Sequence, residues 1–133
     1  MNFSRGKHVL VVSHDAGGAE ILSAWVKQHS YLKFSFLLEG PAQKIFARKL
    51  GDVPMLSRAA FLDEQMIADF VLTGTSWGSD LEKRVVKTAR ARNIPVASFL
   101  DHWSAYRERF LLDGELVLPD ELWVGDEIGR AHV

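Results

Sequence analysis

An imidazole beside a carboxylate, followed by two glycines, can do chemistry once a fold holds it in place. The segment His14-Asp15-Ala16-Gly17-Gly18-Ala19-Glu20 has that composition. Histidine titrates near neutrality, so His14 is a candidate general base, and Asp15 shares the candidate catalytic position. Gly17 and Gly18 stand ahead of a helical pattern, where they allow close approach of a ligand to the backbone. Free N–H groups and the helix dipole at such a place favour an anion. The plainer account gives the glycines only a turn and Asp15 only a helix cap. The spacing matches neither G-x-G-x-x-G nor G-x-x-x-x-G-K-[ST], so a bound dinucleotide or nucleoside triphosphate loses support and no cofactor is expected.

Other segments add to this set. Gly74-Thr75-Ser76-Trp77-Gly78-Ser79 offers hydroxyls and glycines at another helix start, suited to a phosphate or a sugar hydroxyl. Simple capping by Ser79, with Glu82 at capping-box spacing, competes with that reading. Asp101-His102-Trp103 joins an acid, an imidazole and an indole, a combination suited to a sugar ring stacked on the aromatic. Tyr106, Arg107 and Arg109 follow, and an arginine there could meet a phosphate or carboxylate. The alternative makes Trp103, Tyr106 and Phe110 packing residues and leaves the arginines solvated. Glu39 with Gly40, and Asp126 with Glu127, complete the candidate ligand-binding residues. No H-x-x-x-H or H-E-x-x-H spacing occurs, so no metal site is expected. No G-x-S-x-G elbow supports a serine nucleophile.

These residues need a scaffold, and the pattern supplies one. His8 to Ser13 is a β-branched run of the kind buried on both faces of a parallel sheet. Ile21, Leu22, Trp25 and Val26 then follow at helical spacing, to about His29. Phe34 to Leu38 reads as a second strand, closed by Glu39-Gly40. Pro41 suits the first position of the next helix and Gly51 its left-handed end. Val53 to Leu56 is a short strand candidate, and Ala59 to Ile67 a helix. Phe70 to Thr73 is a strand, followed by a helix that ends at Asn93. Pro95 to Leu100 and Leu122 to Val124 are the last strands, with a helix expected to begin beyond Val124. Trp103 to Pro119 reads as a short helix plus a loop or hairpin.

Alternating strands and helices predict an α/β domain of three layers. Its sheet would be mainly parallel, five to six strands wide, with right-handed crossovers and helices on both faces. Ligands of such sheets bind beyond the carboxyl ends of the strands. Every candidate residue falls at one of those ends. That convergence locates a site without naming a reaction.

Composition narrows the classes further. The 133 residues carry 16 Lys and Arg against 17 Asp and Glu, with 47% hydrophobic and 25% charged residues. That is one domain of ordinary globular type, too short for two α/β domains. A net charge of -1 argues against a nucleic-acid partner. No apolar run approaches the roughly 20 residues of a membrane span. The absence of cysteine excludes disulfides and thiolate chemistry and fits a cytoplasmic setting.

The segments HVLVVSHDAGGAE, VLTGTSWGSDLE and IPVASFLDHWSAYRERF, followed by LPDELWVGDE, resemble the N-terminal half of GT-B-type nucleotide-sugar enzymes. That superfamily holds glycosyltransferases and the UDP-N-acetylglucosamine 2-epimerases. The resemblance spans nearly the whole chain, through strand order and loop position. It implies a Rossmann-like domain whose glycine loop near His14 lines a cleft and faces the acceptor sugar. The loops at Thr75 and Asp101 would extend the same wall, and the ligand would be a sugar or nucleotide-sugar. In such enzymes a C-terminal half holds most of the nucleotide. Residues 1–133 would then be the N-terminal part of a longer two-domain protein, weakly active or inactive alone, completed by that half or a second copy. A different class also fits the residues: a free-standing α/β domain that binds a small anion and regulates a partner. Its receiver-like version fits poorly, because the first strand ends in His14-Asp15 rather than paired acids. Exposed aromatics from Trp103 to Phe110 would in either case offer an association surface.

Overall fold

The computed structural model describes residues 3–63, 66–101 and 107–124, and the backbone of residues 129–132. Strand β1 (His8–Ser13) leads into helix α1 (Ala16–Gln28), β2 (Lys33–Leu38) and α2 (Pro41–Leu50). A short helix α3 (Arg58–Leu62) precedes β3 (Phe70–Thr73), α4 (Leu81–Ala91) and β4 (Val96–Leu100). A single 3-10 turn at Glu108–Phe110 enters the hairpin β5 (Leu111–Leu112) and β6 (Glu115–Leu116). The chain then returns through β7 (Glu121–Val124) and β8 (Gly129–His132). Asp113 at φ 52° and Gly114 at φ 82° make the left-handed pair that a two-residue hairpin turn requires.

Five strands run parallel, and β8 adds to one edge antiparallel to β7, in the order β2-β1-β3-β4-β7-β8. The expected Rossmann-like α/β architecture is present. Strand β1 is central, so its side chains are buried on both sides. Val9 and Val11 face α1 and α2 with Leu22, Trp25 and Phe46. Leu10 and Val12 face α3 and α4 with Phe61, Leu81 and Val85. Alternation of this kind is why the run needs no polar residue until its end. Each fully buried Val or Leu contributes about 1.5–3 kcal/mol, so this strand anchors both layers. Two polar groups inside the sheet pair with each other, Thr73 Oγ1 and Ser98 Oγ, 2.6 Å apart across β3 and β4, whereas the buried Ser13 Oγ at the end of β1 has no hydrogen-bond partner among the described residues.

Four local expectations change. Gly17 and Gly18 are not a turn before the helix; they lie within its first turn, because α1 starts at Ala16. Val53 to Leu56 forms a single bridge, Phe36 to Met55, rather than a strand. The helix expected over Ala59 to Ile67 is α3, which ends at Leu62. Beyond β7 the chain pairs back as β8 where a helix was expected. That last segment follows a strand whose outer edge is otherwise open, and backbone pairing there satisfies donors that a helix would leave unmet.

Candidate functional site

The sheet order reverses between β1 and β3, the place where loops leave on opposite sides and open a crevice. The loops after these two strands meet closely. A β-carbon on Gly18 would lie 3.4 Å from Gly74 Cα, so helix and loop touch backbone to backbone. Neither glycine serves a left-handed turn here.

At the end of β1, His14 Nδ1 and Asp15 Oδ1 lie 2.5 Å apart, with side chains 28% and 38% exposed. Asp15 is the residue before α1 yet caps nothing with its side chain, which is turned to the imidazole instead. The carboxylate favours the tautomer with a proton on Nδ1, leaving Nε2 as the basic end. That end faces Gly40, whose φ is 58° and whose absent β-carbon would stand 2.7 Å from Nε2. Gly40 therefore serves twice, allowing the left-handed turn into α2 and leaving Nε2 uncovered by a side chain.

Beneath these loops lies a carboxyl that the sequence did not single out as a site residue. Glu82, in the first turn of α4, is 2% exposed. Ser76 Oγ donates to its Oε1, and the His14 backbone also bonds to the carboxyl. A β-carbon on Gly74 would come within 2.7 Å of its Oε2. Burial pushes the Glu82 carboxyl up to about 8, against the pull of the Ser76 bond, and the charges of Asp15 and Asp101 push the same way. Near neutral pH it is mostly protonated. The expected capping box is accordingly not formed: Asp80 occupies the cap, Ser79 Oγ accepts from Leu81 N–H, and Glu82 turns inward. Its spacing from Ser79 imitated a cap, and no short motif distinguishes the buried case.

Thr75 and Ser76 are 4% and 1% exposed, and both hydroxyls are committed inside. Thr75 Oγ1 donates to the Phe99 carbonyl at 3.0 Å. What this loop shows to solvent is Trp77, 62% exposed.

Asp101 leaves β4 over the start of α1, where a β-carbon on Gly17 would collide with its carboxylate. Arg109 holds it from the other side: Nη1 donates to Asp101 Oδ1 at 3.2 Å and to the Thr75 carbonyl at 3.0 Å. Arg109 is 9% exposed, not solvated. Phe110 packs with Leu100 and Leu122, so it belongs to the interior and not to an association surface. Arg107 is exposed.

The Glu39 carboxylate is committed to an arginine. Arg58 donates to both its oxygens, Nε to Oε2 at 2.7 Å and Nη2 to Oε1 at 2.9 Å, and to Asp80 Oδ1 at 2.9 Å. This network ties the end of β2 to α3 and α4. The structure thus brings together His14, Asp15, Gly17, Gly18, Gly40, Gly74, Thr75, Ser76, Asp101 and Arg109, and adds Glu82. His102, Trp103, Tyr106, Asp126 and Glu127 lie outside the described residues. No group of three potential ligands suited to a metal ion occurs among the described residues, and none of their helices is long and apolar enough to cross a membrane.

The chain matches no family profile, and no curated protein matches it by sequence. Among solved structures it is similar to a UDP-GlcNAc 2-epimerase from Neisseria meningitidis bound to UDP-GlcNAc, with a TM-score of 0.52 and 13% identity. The match covers 74% of this chain and 34% of that one. The likeness is one of fold. This chain spans about a third of the length of that structure.

Proposed function

We propose that this chain forms the acceptor-side wall of a sugar-modifying enzyme, with His14 as the general base that takes a proton from a sugar hydroxyl. The observation that carries the reading is the His14–Asp15 pair, 2.5 Å apart, with Nε2 turned to the bare backbone of Gly40. A base oriented by a carboxylate, with its Nε2 end against a residue that has no side chain at the switch point of a parallel sheet, suits removal of a proton from a bound hydroxyl. Asp15 would then stabilise the imidazolium that forms. The partial span of the epimerase fits a cleft completed by a second half, or by another copy, that holds the nucleotide. The 133 residues alone would then bind a nucleotide-sugar weakly and turn it over slowly, whether by transfer or by epimerisation.

The test is titration of UDP-N-acetylglucosamine, UDP and the free sugar against the chain, followed through backbone amide resonances. We expect sugar-dependent shifts at His14, Gly40 and Gly74, and no saturation by UDP at the same positions. In a form that carries a nucleotide-binding half, His14→Gln should bind sugar within about two-fold of the parent and lose about 100-fold or more in turnover. Failure of every sugar and nucleotide-sugar to move those amides sinks the proposal.

A further inference from the structure

The glycine start of α1 has the features of an anion site, and the structure puts one of the chain's own carboxylates over it. Asp101 Oδ2 lies where a side chain on Gly17 would have to go, over the first turn of a helix of 13 residues. The arrangement is fixed from outside that helix. Arg109 is buried, bonds Asp101 Oδ1, and is anchored in turn on the Thr75 carbonyl. Asp15 stands beside the same turn, half-buried against His14. The ends of β1 and β4 and the 3-10 turn thus bring two carboxylates and one buried guanidinium to the positive end of one helix.

We infer that Asp101 is the specificity-determining residue of this wall: its carboxylate, pinned by Arg109, excludes a phosphate and leaves the cleft to the uncharged, hydroxylated part of a substrate. A phosphate entering at Gly17 would meet Asp101 and Asp15 at close range, and like charges brought together out of water repel strongly. A sugar hydroxyl meets the reverse situation. It can donate to Asp101, whose geometry Arg109 holds before the ligand arrives, so little ordering cost remains. This deepens the acceptor-side reading and rests on it for the identity of the ligand. The exclusion of anions does not depend on that identity: it rests on the carboxylates at the Gly17 turn, Asp101 first.

Inorganic phosphate is the probe, compared between the parent chain, Asp101→Asn and Asp101→Ala. In the parent, the Gly17 and Gly18 amides should show no saturable response to phosphate. In both variants they should acquire one, with affinity raised about ten-fold or more over the parent. Asp101→Asn retains the shape of the side chain and serves if Asp101→Ala melts below the assay temperature. Phosphate that binds the parent as tightly as the variants overturns the proposal, and so do folded variants that gain nothing. Should the phosphate arms behave as expected while no sugar shifts the parent, Asp101 retains its role and the sugar reading fails. The two failures are therefore separable.

Discussion

Glu82 shows how one residue can sit at the centre of a site and remain invisible in the sequence. Serine, two residues, then glutamate is a capping spacing, and nothing within α4 says otherwise. The inward turn depends on Gly74 and Ser76, which lie on the preceding loop. His14, Asp15, Gly17 and Gly18 stand out as candidates because an imidazole, a carboxylate and two glycines follow one another at a strand end. Arg109 was half legible: an arginine able to meet a carboxylate was foreseen, but its burial required knowing the path of the hairpin. Glu82 also carries a consequence for stability. Its folded pKa of about 8 stands above the ordinary 4.5, so the folded chain keeps a proton that the unfolded chain releases. Stability from this group is complete below pH 4.5, declines as pH rises towards 8, and is flat beyond. The slope between those limits is about 1.4 kcal/mol per pH unit. Glu82→Gln, uncharged at every pH, should remove this decline and melt higher than the parent at pH 9. Urea unfolding from pH 5 to pH 9 measures it, and parallel pH profiles for the two proteins would contradict the assignment.

At the scale of elements, the five parallel strands match the sequence pattern within a residue, because buried parallel strands carry long apolar runs; the expected strand at Val53 to Leu56 does not form. Helix starts were read less well, since glycine serves helix and turn alike. Gly17 and Gly18 promised a turn but are helical. At Gly17 the reason lies at the end of β4, where Asp101 stands too close for a β-carbon, while Gly18 and Gly74 meet each other in backbone contact. These two glycine positions answer differently to substitution. A β-carbon on Gly18 would meet Gly74 Cα at 3.4 Å, tight but tolerable, and alanine favours a helix by about 0.5–1 kcal/mol. A β-carbon on Gly74 would stand 2.7 Å from a buried carboxyl that cannot retreat into solvent. Gly18→Ala should therefore change unfolding free energy by less than about 1 kcal/mol. Gly74→Ala should cost about 1–3 kcal/mol, in the range of overpacked interiors. Equal losses for the two variants in denaturant titrations would show that the helix and loop do not pack as described.

For the molecule as a whole, the expected architecture holds, and its least legible part is the edge beyond β7. A chain written strand, helix, strand makes another helix the natural expectation after Val124. What decides against it is the unpaired side of β7. Parallel pairing with β4 satisfies only one edge of that strand, whose Trp123 is fully buried and donates from Nε1 to Glu121 Oε1 at 2.8 Å. Without β8 the row of N–H and C=O groups on the other edge would face water beside a large buried indole, which is a template for pairing with a second chain. Antiparallel β8 covers that row over four residue pairs, Glu121 with His132 through Val124 with Gly129. A chain ending at Val124 should keep the parallel core, because β8 pairs with β7 and not with β1, β3 or β4. It should nevertheless melt lower than the full chain and associate as concentration rises, a change visible in sedimentation velocity. Replacing one residue of a shortened chain's β7 by proline at an outward N–H would then suppress association without restoring stability, since it blocks the template but rebuilds no pairing. A shortened chain that stays monomeric at high concentration would mean that the edge is protected by something other than β8.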